Sequence, residues 1–195
     1  MDRRNFVITT VAAIAAAGFG LNAGAAGAQD LEFIAALERA QRERPKRLAS
    51  VARIAPESEP GTPLVVHGRA VAQDGNTPIR GAVIFAYHTD REGLYDHPGA
   101  VAHSWRLKGW ALTDDSGRFE FRTIRPGAYP RRNTPEHIHL NIFLPDGRRH
   151  SANGVVFDDD PLLPAGDRGM ASHVRREGAA QHVDFTFQLF AKNQF

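Results

Sequence analysis

The chain contains no cysteine. Disulfides, zinc–thiolate sites and iron–sulfur clusters are therefore excluded, and folding is not tied to one redox compartment. A dominant charge is lacking as well. The 24 Lys and Arg nearly balance 22 Asp and Glu, and no long basic block occurs, so no nucleic-acid partner is expected. No apolar run reaches the roughly 20 residues that a membrane helix needs. The nearest is the Ala/Gly-rich stretch 7–19, and outside it there is no internal repeat or low-complexity tract. Tyrosine is scarce, with three in the chain, so each can be weighed singly.

The stretch 7–19 follows Arg3 and Arg4 and precedes Ala26-Gly27-Ala28, a small-x-small cleavage pattern. Residues 1–28 therefore read as a twin-arginine export signal. The expected location is the periplasm, with no stable membrane insertion once the signal is removed. That route carries folded proteins, often loaded with cofactor, which agrees with a metal site in the mature chain.

Residues 29–63 read as an N-terminal helix and a connector. Asp30 is placed as the helix N-cap, Leu31, Ile34 and Leu37 as its apolar stripe, and Pro45 as its stop. Residues 46–63 hold three prolines and read as extended. From residue 64 to 195 the pattern changes to short alternating runs bounded by turns. Strands are expected at 64–71, 82–88, 109–113, 118–123, 137–144, 151–157 and 183–189. Asp114-Asp115-Ser116-Gly117 marks a hairpin. About seven such strands predict an all-β, antiparallel β-sandwich. Two long connections, 89–108 and 125–136, are the places on such a scaffold where function concentrates.

Both connections carry a tyrosine. Tyr95 lies in the first, and Tyr129 lies in the rigid turn Pro126-Gly127-Ala128-Tyr129-Pro130 of the second. Eight residues on, His137 and His139 open a strand and share one of its faces. Two imidazoles with a phenol oxygen suit a hard, oxidised metal ion, and iron(III) is the first candidate. Tyr87 alternates with apolar residues and reads as core.

These segments have a family resemblance. Gly68 to Val83, Thr89 to Tyr95 (T-D-x-x-G-x-Y), Thr113 to Pro130 (ending T-I-x-P-G-x-Y-P), His137-Ile138-His139, and Phe157 to Leu162 follow in the order seen in intradiol ring-cleavage dioxygenases. The chain resembles the catechol 1,2- and protocatechuate 3,4-dioxygenase group. The resemblance implies a transthyretin-like sandwich holding one mononuclear non-haem Fe(III) through Tyr95, Tyr129, His137 and His139. It implies O2-dependent cleavage of a catechol-type substrate between its two hydroxylated carbons, with Tyr129 as the axial ligand that leaves and helps take up the substrate's proton. It further implies a homodimer or larger oligomer, with the N-terminal helix as a candidate contact.

Two departures are visible. The usual R-P-A-H-I-H arginine is Thr134 here, and the position of the usual glutamine falls at Gly154. Arg131, Arg132 and Arg106 are candidates for a replacement cation, and Arg132 is taken as the substrate-binding residue. The departures keep open an alternative of another class: a divergent, non-catalytic metal- or ligand-binding sandwich of the same fold.

Overall fold

The computed structural model describes residues 26–101 and 103–189. Residues 1–25, with the twin arginines and most of the expected signal, lie outside the described residues. The described chain opens with helix α1, Ala26–Glu43. Asp30, expected as the N-cap, falls inside the range of this helix. The buried face also differs from the expected stripe. Leu37 is buried, but beside Ala36 and Ala40, while Leu31 is 70% exposed and Ile34 37% exposed. Alanines at i and i+4 let the helix lie close on the aromatic surface beneath it, and a count of large apolar residues overlooks them.

Among the described residues the remaining regular elements are nine strands and one short 3₁₀ turn, Ala165–Met170. The first sheet holds β1 (Val51–Arg53), β5 (Arg118–Ile124), β2 (Pro63–Val71), β9 (Ala180–Gln188) and β8 (Arg175–Glu177), in that spatial order. The second holds β4 (Leu107–Leu112), β3 (Val83–His88), β6 (His137–Phe143) and β7 (Arg149–Val156). The two-sheet sandwich with one N-terminal helix is the expected architecture, with two corrections. The sheets are not wholly antiparallel, because β1 pairs parallel with β5 and β2 parallel with β9. Parallel neighbours need a long connection, and here the whole second sheet lies between β2 and β9. Strands β1 and β8 were not expected; each has three residues and no alternation of buried and exposed positions. The first of them interrupts the presumed connector.

The main core lies between the sheets, where Val66, Phe121 and Val183 meet Ile84, Ile138, Leu140 and Ile142. A second cluster covers the other face of the second sheet. There Ala36, Leu37 and Ala40 of α1 pack on Phe85, Tyr87 and Trp105. Strand β3 is therefore buried on both sides, Ile84 and Ala86 inward and Phe85 and Tyr87 toward the helix. Full burial of a side chain such as Phe85 contributes about 1.5–3 kcal/mol. His137 and His139 alternate with the inward Ile138 and Leu140, so they stand on this helix-side face.

Candidate metal centre

Tyr87 is paired in register with His139, and its ring stacks on the imidazole at 4.7 Å between centroids and 13° between planes. Trp105 stacks on the far side of Tyr87 at 4.2 Å. Tyr87 is thus the core residue expected, and it holds the His139 ring with Trp105 packed behind it. Opposite His139, β7 carries two residues, 153 and 154, between the partners of Ile138 and Leu140. Such a bulge bends a strand and re-aims its neighbours, and bulges recur beside active sites.

The four donors named from the sequence are brought together. Tyr129 Oη lies 3.0 Å from His137 Nε2 and 3.2 Å from His139 Nε2, and the two nitrogens are 3.0 Å apart. The Tyr95 and Tyr129 hydroxyls are in contact. His137 Nδ1 donates to the Pro135 carbonyl at 2.7 Å, which leaves its Nε2 as a bare lone pair aimed at the others. Nitrogens about 2.0–2.1 Å from one ion and roughly 90–105° apart lie about 2.9–3.3 Å from each other. The observed edges match that spacing, so the donor set fits a single cation. Among the described residues, no three His, Cys, Asp or Glu side chains gather to hold a metal.

Burial keeps the site uncharged when no ion is bound. His139 is pushed down to about 3, first by burial and then by His137 and His88. Burial also lowers His137 against the opposing bond to Pro135. Both site phenols are raised by burial, Tyr95 further by Tyr129, while the Tyr95 bond and the Arg132 charge pull Tyr129 back down. Two neutral imidazoles and the Tyr129 phenol meet within 3.2 Å of one another, with the Tyr95 phenol against Tyr129. A cation there would be taken up with release of the phenolic protons.

Two loops present the tyrosines, and they are fastened to each other. His88, fully buried and held at about 4 by burial, bonds through Nδ1 to Thr89 O and through Nε2 to Thr123 Oγ1, both at 2.6 Å. Thr89 Oγ1 donates to Gly127 O at 2.7 Å, and Gly127 N donates to Asp90 O at 2.8 Å. The Asp90 carboxylate accepts from the backbone N–H of Glu92 and of Leu94. These bonds give physical roles to Thr89 and Asp90, which the sequence showed only as motif positions.

The candidate cations separate. Arg106 is held by scaffold carboxylates. Its guanidinium donates to both Glu59 oxygens at 2.6 and 2.8 Å and lies 3.4 Å from Asp90, while its backbone N–H bonds Tyr95 O. Arg131 and Arg132 are exposed at the loop tip, Arg131 with a φ of 63°. Arg132 follows Tyr129 closely, its N–H bonding Tyr129 O at 3.2 Å. Gly154 has no room for the usual glutamine, since a Cβ there would lie 2.7 Å from Ile138 O.

Several known proteins are similar to this chain. The chain is 37% identical over 151 residues to 6-chlorohydroxyquinol 1,2-dioxygenase of Cupriavidus pinatubonensis, covering 66% of this chain and 54% of that one. It is 30% identical over 128 residues to catechol 1,2-dioxygenase 1 of Acinetobacter lwoffii, covering 56% and 40%. The chain spans about half the length of the curated relatives it matches. Among solved structures, the dioxygenase domain of a carbohydrate-binding fusion protein from Streptomyces sp. SirexAA-E aligns at TM-score 0.58 and 27% identity, over 70% of this chain and 85% of that one. Catechol 1,2-dioxygenase of Pseudomonas arvilla C-1 aligns at TM-score 0.59 and 18% identity, over 85% and 70%, a likeness of fold alone. A family model described as dioxygenase matches residues 40–185. With the match extending over most of its length, the chain belongs to the intradiol ring-cleavage dioxygenase family.

Proposed function

We propose that this chain holds one ferric ion through Tyr95, Tyr129, His137 and His139 and cleaves a catechol-type ring between its hydroxylated carbons. The family uses non-haem Fe(III). The observation that carries the reading is the convergence of Tyr129 Oη, His137 Nε2 and His139 Nε2 at 3.0–3.2 Å, with the Tyr95 hydroxyl against Tyr129. Two tyrosinates offset two of the three charges of the ion, and neutral histidines add none, so the centre suits a half-buried site. The ion would supply Lewis acidity and one-electron chemistry that open a catechol ring to dioxygen.

The chain's own residues do the rest. His139, clamped by Tyr87, and His137, oriented by Pro135 O, hold the base of the site. Tyr95 is fixed by its loop, whereas Tyr129, half-buried beside the exposed tip 130–133, is the group placed to accept a hydroxyl proton from the substrate. Arg132, beside Tyr129, is the cation available to a substrate carboxylate. Both atoms of O2 end in the two carboxyl groups of a cis,cis-muconate product. The names of the relatives point to catechols and hydroxylated or chlorinated quinols as the substrate class.

The test is an anaerobic catechol titration of the ferric protein, followed by air and product analysis. A tyrosinate charge-transfer colour that shifts with catechol, then O2 uptake, is expected. Thr134 and the lack of space at Gly154 favour one second reading, a metal- or ligand-binding sandwich without turnover. Colour without uptake would establish that reading, and a colourless ferric preparation would remove both.

A further inference from the structure

We infer that Arg125 is a positioning residue that staples the base of the loop carrying Tyr129 and so sets Tyr129 against His137. The inference rests on the metal-centre reading for its consequence, but its first test does not need a metal.

The loop leaves β5 after Ile124 and enters β6 at His137. Arg125 is its first residue and Glu136 its last, and Arg125 Nε donates to Glu136 Oε2 at 2.5 Å. Arg125 Nη1 reaches Asp159 Oδ1 at 2.7 Å and Gln181 Oε1 at 3.3 Å. The guanidinium lies 4.3 Å over the Phe157 ring, and the side chain is only 13% exposed. Both roots are also tied by the backbone: Arg125 N donates to Thr62 O at 2.8 Å, and Glu136 N to the buried Asp160 Oδ2 at 2.6 Å. Residues 130–133 at the tip are exposed by contrast.

Tyr129 is four residues from one root and His137 adjoins the other, so their 3.0 Å contact is set by how the roots are held. A planar fork that meets two carboxylates and a ring face at once is a task for arginine, and a lysine ammonium covers only part of it. Glu136 stands where the usual motif has alanine, so the acid that closes the staple accompanies the loss of the motif arginine at Thr134.

Hydrogen exchange on metal-free protein gives the first test. In Arg125→Met the amides of Ala128, Tyr129 and 131–134 should exchange at least about tenfold faster, with those of His137–Phe143 unchanged. Equal exchange in the loop would overturn the staple. Ferric loading gives the second. Arg125→Met should bind iron about 10–100-fold more weakly, with a displaced charge-transfer band, and Arg125→Lys should restore part of both. A lowered melting temperature with band and affinity unchanged would reduce Arg125 to a merely structural role and overturn the inference. Should Arg125→Met fail to fold, Glu136→Gln, which keeps shape and removes the charge, decides by the same readouts. A wild-type protein that takes up no ferric ion would sink the metal-centre reading, while the exchange result would still decide the staple.

Discussion

Gly93 approaches Ala128 so closely that a Cβ at position 93 would lie 2.0 Å from the Ala128 carbonyl oxygen. Its φ of +81° is also one that side chains rarely adopt. The two loops carrying Tyr95 and Tyr129 thus meet backbone to backbone, and glycine at 93 is the condition for it. Gly93→Ala should destabilise the fold by about 2 kcal/mol or more, from left-handed strain and loop separation. A denaturant titration measures this, and ferric colour should fall in parallel. An alanine variant with wild-type stability would show that the loops do not meet in this way.

Tyr95→Phe removes one oxygen and leaves the ring in its tilted contact with Tyr87. Stability should change by no more than about 1 kcal/mol, while the ferric protein loses a large part of its charge-transfer absorbance. Retention of the full wild-type spectrum would strike Tyr95 from the donor set.

Acid should unfold the metal-free protein through its buried histidines. Folded values of about 4 for His88 and about 3 for His139 lie below the roughly 6.5 of an unfolded histidine. Below that pH the unfolded state binds more protons, so stability rises with pH. The contribution is complete above about pH 6.5 and drains away as pH falls toward 4 and then 3. Urea midpoints at pH 7, 5.5 and 4.5 should fall in order. In His88→Gln the slope should lose up to one proton, and an unchanged slope would mean that His88 is not held neutral.

Arg132 is exposed, and its proposed role in substrate binding rests on charge. Arg132→Ala should raise KM for a catechol carrying a carboxylate by about tenfold, the worth of one exposed charge-assisted contact, and leave KM for unsubstituted catechol nearly unchanged. Identical KM ratios for the two substrates would remove Arg132 from substrate binding.

The export reading is tested in cells. Arg3→Lys with Arg4→Lys should trap the protein in the cytoplasm, seen by fractionation and immunoblot. Continued periplasmic accumulation would rule out the twin-arginine route.

Much of the site was legible in the chain because local chemistry leaves local marks. A His-x-His on a strand puts both rings on one face by backbone period alone, and the Pro126-Gly127-Ala128-Tyr129-Pro130 turn announces a rigid tyrosine. The strand positions followed from alternation, except for β1 and β8, which are edge pieces with no burial pattern to read. On α1 the face that meets the sheet is Ala36, Leu37 and Ala40 rather than Leu31 and Ile34, because small side chains allow the closer approach. Arg106 and Arg125 looked alike in sequence to any solvated arginine, since nothing nearby in the chain announces Glu59 or Asp159.

By itself the sequence determined which residue types could meet a metal, the sandwich class and the two loops that matter, because periodicity and turn chemistry act over a few residues. Only the tertiary structure decided that the Tyr129 hydroxyl meets His137 and His139 with the Tyr95 hydroxyl against it, that Arg106 and Arg125 are bound to carboxylates, and that a Cβ at position 154 would crowd the Ile138 carbonyl. Those outcomes depend on contacts between residues tens of positions apart, and such distances are fixed by packing of the two sheets, the helix and the loop backbones against one another.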